Sequence, residues 1–186
     1  GWCSIPKAFA LASAVLTLKP KVIVEIGVFS GASFLPMALA VKANEIGMCY
    51  AIDPWEKSAS VEGMDGENAE WWGSINHDLI HDNFVAKVKE LDLEKFVTVI
   101  RKKSDDADVP AKIDLLNIDG NHAEQAIRDV EKFAPKVVIG GICWLDDLNW
   151  VGGNVLKAAD RLLEMGFVKL YAIDTGAAFQ RVKKSK

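Results

Sequence analysis

The stretch that most limits what this chain can fold into is Val22-Ile-Val-Glu25-Ile-Gly27-Val-Phe-Ser30-Gly31-Ala-Ser33. A short apolar run rich in β-branched residues stops at an acid and breaks at two glycines. It then gives way to Phe34, Leu35, Ala38, Leu39 and Val41 at helical spacing. The run has the length and composition of a strand covered on both faces, so the pattern predicts a strand, a turn and a helix over residues 31–43. A glycine at the strand's end permits the tight turn and leaves room for a ligand to approach the backbone.

The same alternation recurs along the chain. Strands are expected at Met48–Asp53, Lys95–Arg101, Ile113–Asp119 and Val137–Leu145, the last interrupted by Gly140-Gly141. Helices are expected at Ile5–Thr17, Asp78–Leu91, Ala123–Phe133 and Asn154–Met165. Phe167–Ile173 and Ala177–Val182 read as a closing hairpin around Thr175-Gly176. Strands alternating with helices and ending in an antiparallel pair specify an α/β fold with one doubly wound, mostly parallel sheet. At 186 residues and 50% hydrophobic composition, the chain supports a single domain over 1–186, with residues 1–20 as an N-terminal helical segment. Residues 55–76 carry Gly63, Gly66 and Gly73 without a steady period. They are expected to form a long functional loop or lid, with Trp71-Trp72 partly buried over a ligand.

Composition excludes several classes. A net charge of −4 argues against nucleic acid as the main partner, and Arg101-Lys-Lys103 and Lys183-Lys184-Ser-Lys186 read as a strand end and a solvated tail. No apolar run reaches membrane-spanning length and no leader pattern opens the chain, so a soluble cytoplasmic protein is expected. Cys3, Cys49 and Cys143 lack the spacing of a disulfide framework or a zinc knuckle and suit a reducing compartment.

The glycine turn poses the question of its ligand. Dinucleotide sites close a G-x-G backbone on a pyrophosphate, whereas here Gly27 is followed by Val28 and the bulky Phe29, and no G-K-[ST] follows. The pattern E-x-G-x-x-x-G-x-S, with Asp53 ending the next apolar run, resembles the first two motifs of class I S-adenosylmethionine-dependent methyltransferases. The resemblance extends from residue 20 to residue 182 as an order of motifs, and it implies a Rossmann-like, seven-stranded sheet. It also implies cofactor contacts from Glu25, Gly27, Ser30, Gly31 and Ser33 on the methionine side and from Asp53 on the ribose. Ser104 and Asp105 would lie near the adenine.

Two acidic clusters end adjacent strands, Asp119-Gly-Asn-His122 and Asp146-Asp147-Leu-Asn149. Carboxylates converging without a compensating base repel one another, and a hard divalent cation is the usual resolution. The layout resembles the metal-dependent O-methyltransferases of the catechol and sugar-modifying types. That resemblance implies Asp119, Asp146 and Asp147 as ligands of a divalent ion, Mg²⁺ first among them, with Asp119 and His122 as the catalytic pair and His122 as general base. Asp147 stands where the catechol type has Asn, which counts against a catechol acceptor. The structural alternative is that Asp119 caps the next helix and that Asn121 with Glu124 forms a capping pair.

Other readings stay open at this stage. A metal-free relative would use His122 alone, and a noncatalytic ligand-binding or hydroxylase-like relative would share the same motifs. His77-Asp78-Leu-Ile-His81 approaches the spacing of zinc hydrolases, but the glutamate is replaced and no third ligand is near, so a polar helix face is expected. Trp55, Trp71, Trp72, Trp144 and Trp150 cluster in the lid and after the fifth strand, which suits a small acceptor with a flat or apolar face. Assembly as a homo-oligomer is compatible with all of this.

Overall fold

A computed structural model describes residues 2–183. The chain runs through α1 (Ile5–Leu18), β1 (Val22–Ile26), α2 (Phe34–Asn44), β2 (Met48–Ile52), α3 (Lys57–Ser60), α4 (Gly66–Ser74), α5 (His77–Glu90) and β3 (Val97–Ile100). It continues through β4 (Ile113–Ile118), α6 (Glu124–Phe133), β5 (Val137–Leu145), α7 (Asn154–Glu164), β6 (Phe167–Ile173) and β7 (Gly176–Arg181). The strands form one sheet in the order β3-β2-β1-β4-β5-β7-β6. The first five pair in parallel, and β7 runs antiparallel between β5 and β6. This is the doubly wound, Rossmann-like sheet with a terminal antiparallel hairpin that the alternation of patterns specified.

Each face of the sheet is covered because each helix carries one apolar stripe. On one side α6 buries Ala126, Val130 and Phe133, and α7 buries Val155, Ala158, Ala159 and Leu162. On the other side lie Leu11 and Val15 of α1, Phe34 and Met37 of α2, and Phe84 and Val88 of α5. The i, i+3, i+4, i+7 spacing of these residues places them on the sheet side of their helices. On α1 the buried stripe is Lys7, Leu11 and Val15, while Phe9 and Leu16 are exposed. The apolar count of that helix therefore points to a different face from the one it buries, and a lysine shares the buried face.

β1 lies between β2 and β4. The winding reverses there, so the helices after β1 and β4 diverge and leave a crevice beyond the strands' carboxyl ends. Gly27 makes the junction close. Its φ is +83°, its N–H donates to the Ile52 carbonyl at 2.9 Å, and the Asp119 N–H donates to the Ile26 carbonyl at 2.9 Å. A Cβ at Gly27 would lie 2.1 Å from the Asp119 carbonyl oxygen.

Two local expectations are corrected. Residues 55–76 are not an irregular loop, since they contain α3 and α4, although neither helix buries a residue fully. Asn121 and Glu124 do not form a capping box. The residue preceding α6 is Ala123, whose side chain makes no cap. Asn121 instead accepts the Ala123 N–H at 2.8 Å and donates its amide to the Glu62 carbonyl at 2.7 Å, which ties the β4 loop to the 55–76 segment.

Gly27→Ala is expected to destabilise the chain by about 3 kcal/mol or more, from the left-handed φ and the overlap with backbone together. Chemical denaturation of the two proteins measures this directly.

Candidate functional site

The loop after β1 is built from left-handed residues, Gly27, Phe29 (φ +50°) and Gly31 (φ +85°). A bulky residue in that conformation is held there by its surroundings. Asp53, at the end of β2, accepts the Phe29 N–H at 2.9 Å on one oxygen and the Trp55 N–H at 2.7 Å on the other. The Trp55 indole N–H returns to the Phe29 carbonyl at 2.8 Å. Burial pushes the Asp53 carboxyl above its ordinary range, against the pull of these N–H donors. Asp53 thus joins the two strand-end loops while keeping its remaining lone pairs on a cavity it lines.

That cavity holds about 180 Å³ and opens to solvent at its mouth. Of the residues expected at the cofactor, Gly27, Ser33, Asp53 and Ser104 line it, whereas Glu25, Ser30, Gly31 and Asp105 are not among its walls. Gly31 packs on the Phe84 ring, which a Cβ would approach to 2.8 Å. Glu25 is wholly buried behind the loop and accepts the Ser33 hydroxyl at 2.7 Å on Oε1, while its Oε2 has no hydrogen-bond partner among the described residues. Burial pushes its carboxyl up to about 7, with the Ser33 hydroxyl opposing. Glu25 therefore acts on the cavity through Ser33.

The opposite wall joins Ser104 to two residues that the sequence patterns did not single out, Gln125 and Asp129. Ser104 donates its hydroxyl to Asp129 at 2.5 Å, and the Gln125 amide donates to Ser104 at 3.0 Å and to Asp129 at 2.8 Å. Burial pushes the Asp129 carboxyl up to about 6 against those two bonds. An acid within the apolar stripe Ala126, Val130 and Phe133 of α6 was the available signal, because a carboxylate seldom enters a core without a local partner or task.

At the far end lie the two acidic clusters. The structure brings Asp119, His122 and Asp147 together, each with one ligand atom within 4.8 Å of the others. Asp146 faces elsewhere. Its Oδ2, together with Asp119 Oδ2, accepts from the Lys7 ammonium, the Asp119 contact being 2.7 Å. Lys7 is 3% exposed. Its burial disfavours the charge, but the two carboxylates outweigh it and hold the ammonium above its ordinary value. A compensating base absent from the acidic clusters themselves is thus supplied by α1, and it meets two of the three expected metal ligands.

His122 Nε2 lies 3.0 Å from Asp147 Oδ2. Asp147 is fixed in turn by the Thr175 hydroxyl, which donates to its Oδ1 at 2.9 Å. The neighbouring imidazole holds the Asp147 carboxyl below its usual range, despite burial. The ring of His122 stacks on Trp150 at 4.2 Å, and both its ring nitrogens are buried without a well-aligned hydrogen bond among the described residues, Nε2 meeting Asp147 by distance alone. His77 and His81 form no second cluster, since His77 sits 2.9 Å from the Trp72 carbonyl and His81 packs edge-on to Trp55. Trp2, Phe29 and Trp72 stand together at the cavity, with Trp2 stacked on Phe29 at 5.7 Å and Trp72 edge-on to Phe29 at 5.3 Å.

Residues 24–148 match the family model described as a methyltransferase domain. No curated protein shows significant sequence similarity to the chain. Among solved structures, the O-methyltransferase NovP superimposes with a TM-score of 0.76 at 18% identity, covering 96% of this chain and 79% of that one. The O-methyltransferase TomG from Streptomyces achromogenes, solved in complex with SAM, gives 0.67 at 15% identity over 97% and 82%. An O-methyltransferase from Bacillus cereus, solved in complex with SAH, gives 0.67 at 14% identity over 97% and 82%. At these identities the likeness is one of fold.

Glu25 generates a pH dependence with a definite sign. Its carboxyl titrates near its ordinary 4.5 in the unfolded chain and at about 7 in the folded one, so the native state binds the extra proton between those values. The stability this confers is present below the lower value and is lost as pH rises towards the upper one. Glu25→Gln is expected to flatten that loss and to raise Tm by a few degrees at pH 8 relative to the parent, with little change at pH 4.5. Thermal melts at the two pH values test it, and equal Tm shifts at both would contradict it.

Proposed function

The chain belongs to the methyltransferase domain family, with the class I S-adenosylmethionine-dependent fold, and from that premise we propose that it methylates a hydroxyl of a small molecule with His122 as the base. The observation that carries this reading is a buried histidine 3.0 Å from a carboxylate at the wall of a cavity that begins at the glycine loop.

The residues present fit the cofactor. A buried unsatisfied carboxylate oxygen on Glu25 lies behind the glycine loop, and Asp53 reaches the cavity with lone pairs to spare. Gly27, Ser33 and Asp53 would hold the methionine and ribose portions, and Ser104, with Gln125 and Asp129, the base. When bound, S-adenosylmethionine supplies an electrophilic methyl on a sulfonium. The acid-rich walls favour that positive charge.

With the Nε2 proton facing Asp147, the Nδ1 lone pair of His122 is free to take a proton from the acceptor hydroxyl. Asp147 orients the ring and stabilises the imidazolium that forms, Thr175 holds Asp147, and Trp150 fixes the ring plane. His122 would hold the proton that the acceptor hydroxyl gives up, leaving the acceptor oxygen as the nucleophile for the methyl that the bound cofactor would supply. The Trp2, Phe29 and Trp72 faces beside the cavity support an acceptor that is uncharged and flat or apolar on one side. The free Cys3, Cys49 and Cys143 support a reducing, cytoplasmic setting, and no helix among the described residues is long and apolar enough to cross a membrane.

An ion held by Asp119, Asp146 and Asp147 together fits poorly, because the Lys7 ammonium already meets two of them. A second reading rests on the grouping of Asp119, His122 and Asp147. With an imidazole in the set, that site favours Mn²⁺, Fe²⁺ or Zn²⁺ over Mg²⁺, and it removes His122 from base work.

His122→Ala is expected to lower methyl transfer by ~10²–10⁴-fold while leaving S-adenosylmethionine binding intact by calorimetry. Asp147→Asn should lower kcat by at least ~10-fold at unchanged cofactor affinity, since a misoriented imidazole is the defect. A chelator separates the two readings, because turnover that survives exhaustive chelation favours the base, and turnover abolished by chelation and restored by Mn²⁺ favours the ion.

A further inference from the structure

We propose that Lys7 is a built-in counter-cation, its ammonium occupying between Asp119 and Asp146 the seat that a divalent ion would otherwise fill, so that removing it creates a divalent-cation site. The proposal goes beyond methyl transfer and does not depend on it, because it concerns only which positive charge sits on these two carboxylates.

The two strands that carry the acids are hydrogen-bonded neighbours, with Ile118 of β4 in register with Leu145 of β5. The Asp146 N–H donates to the Ile118 carbonyl at 3.0 Å. The backbone therefore forces Asp119 and Asp146 to leave the sheet side by side, and both side chains turn inward, with Asp146 7% exposed. Two carboxylates so placed need a positive partner. α1 supplies it through Lys7, which is not itself among the cavity's walls.

The helix is built to deliver that lysine. Ser4 caps it by accepting the Lys7 N–H at 3.1 Å, and the Ser4 hydroxyl donates to Asp174 in the turn between β6 and β7. Leu11 and Val15, one and two turns on from Lys7, bury the same face in the core. The ammonium is therefore delivered from a docked, capped helix. An ammonium and a divalent ion satisfy the same two oxygens, but the lysine is covalently supplied and adds one charge instead of two. Asp146 belongs to this seat and not to the grouping of Asp119, His122 and Asp147, which makes the two sites separable by mutation.

The experiment measures Mn²⁺ binding by loss of its free electron paramagnetic resonance signal, together with Tm with and without Mn²⁺, in the full chain without cofactor. The expected result is that Lys7→Ala melts lower than the parent, gains one Mn²⁺ per chain at sub-millimolar affinity, and recovers Tm when Mn²⁺ is added. The gained site should survive in Lys7→Ala/His122→Ala and weaken at least tenfold in Lys7→Ala/Asp146→Asn. If Lys7→Ala folds only with Mn²⁺ present, the proposal is likewise supported. It is overturned if Lys7→Ala gains no site, if the gained site is indifferent to Asp146→Asn, if Lys7→Ala fails to fold with or without Mn²⁺, or if the parent already binds a Mn²⁺ that Asp146→Asn abolishes. Absence of methyl transfer from the parent chain, with these binding results intact, would count against the proposed function alone.

Discussion

The Lys7 ammonium, set between carboxylates that end adjacent parallel strands, is the interaction on which the geometry of the far wall depends. Parallel pairing of β4 with β5 leaves Asp119 and Asp146 no choice of direction, and the low dielectric around them makes their mutual repulsion expensive. Removing one member of such a buried set typically costs about 3–5 kcal/mol, because the survivors keep an uncompensated charge. The contact also docks α1 across the sheet, bringing Trp2 and Cys3 to the cavity. A segment remote in sequence thereby becomes part of the site's wall.

A second constraint acts at the near end. Gly27 lets β1 pass so close to the Asp119 backbone that no side chain fits between them, and the loop that follows is then held by carboxylates from both sides. Glu25 reaches it through Ser33 from below, and Asp53 reaches it through the Phe29 N–H from β2. Both acids are raised by burial, which is the cost of fixing a loop with charged groups in the interior. The benefit is a rigid floor for a ligand, since a loop with three left-handed residues would otherwise sample many shapes.

Between these ends the site separates into functions by wall. Ser104, Gln125 and Asp129 form a polar network on the α6 side, whereas His122, Asp147 and Thr175 form a relay at the rim of β4, β5 and the terminal hairpin. The hairpin thus does more than close the sheet, because its turn contributes the hydroxyl that holds the carboxylate beside the histidine. The aromatic residues of α4 meet Phe29 and Trp2 over the same cavity, so the 55–76 segment joins the wall through ring contacts without a core of its own.

Much of this was legible in local patterns. Periodicity placed every strand within a residue or two of its position, because a buried parallel strand must be a short apolar run and the helices between must show one apolar face. That Gly27, Ser33, Asp53, Asp119, His122 and Asp147 line one cavity was legible as well, since parallel strands and the turns that follow them converge on one rim. What the patterns misjudged were α3 and α4, whose few apolar residues show no stripe, and the face of α1, where Phe9 and Leu16 outweighed the buried Lys7 in any count of hydrophobicity. Glu25, still inside the strand, is not among the cavity's walls and reaches the loop through Ser33.

The sequence by itself determined the order of the elements, the position of the glycine turn and the acids that crown β4 and β5, because each of these is written in residues adjacent along the chain. Only the tertiary structure decided that Asp146 pairs with Lys7 while Asp147 turns to His122, and that Asp129 completes the wall behind Ser104. The side chains that meet there are separated by as much as 139 positions. A charge chooses its partner by distance in space, and no local pattern encodes that distance.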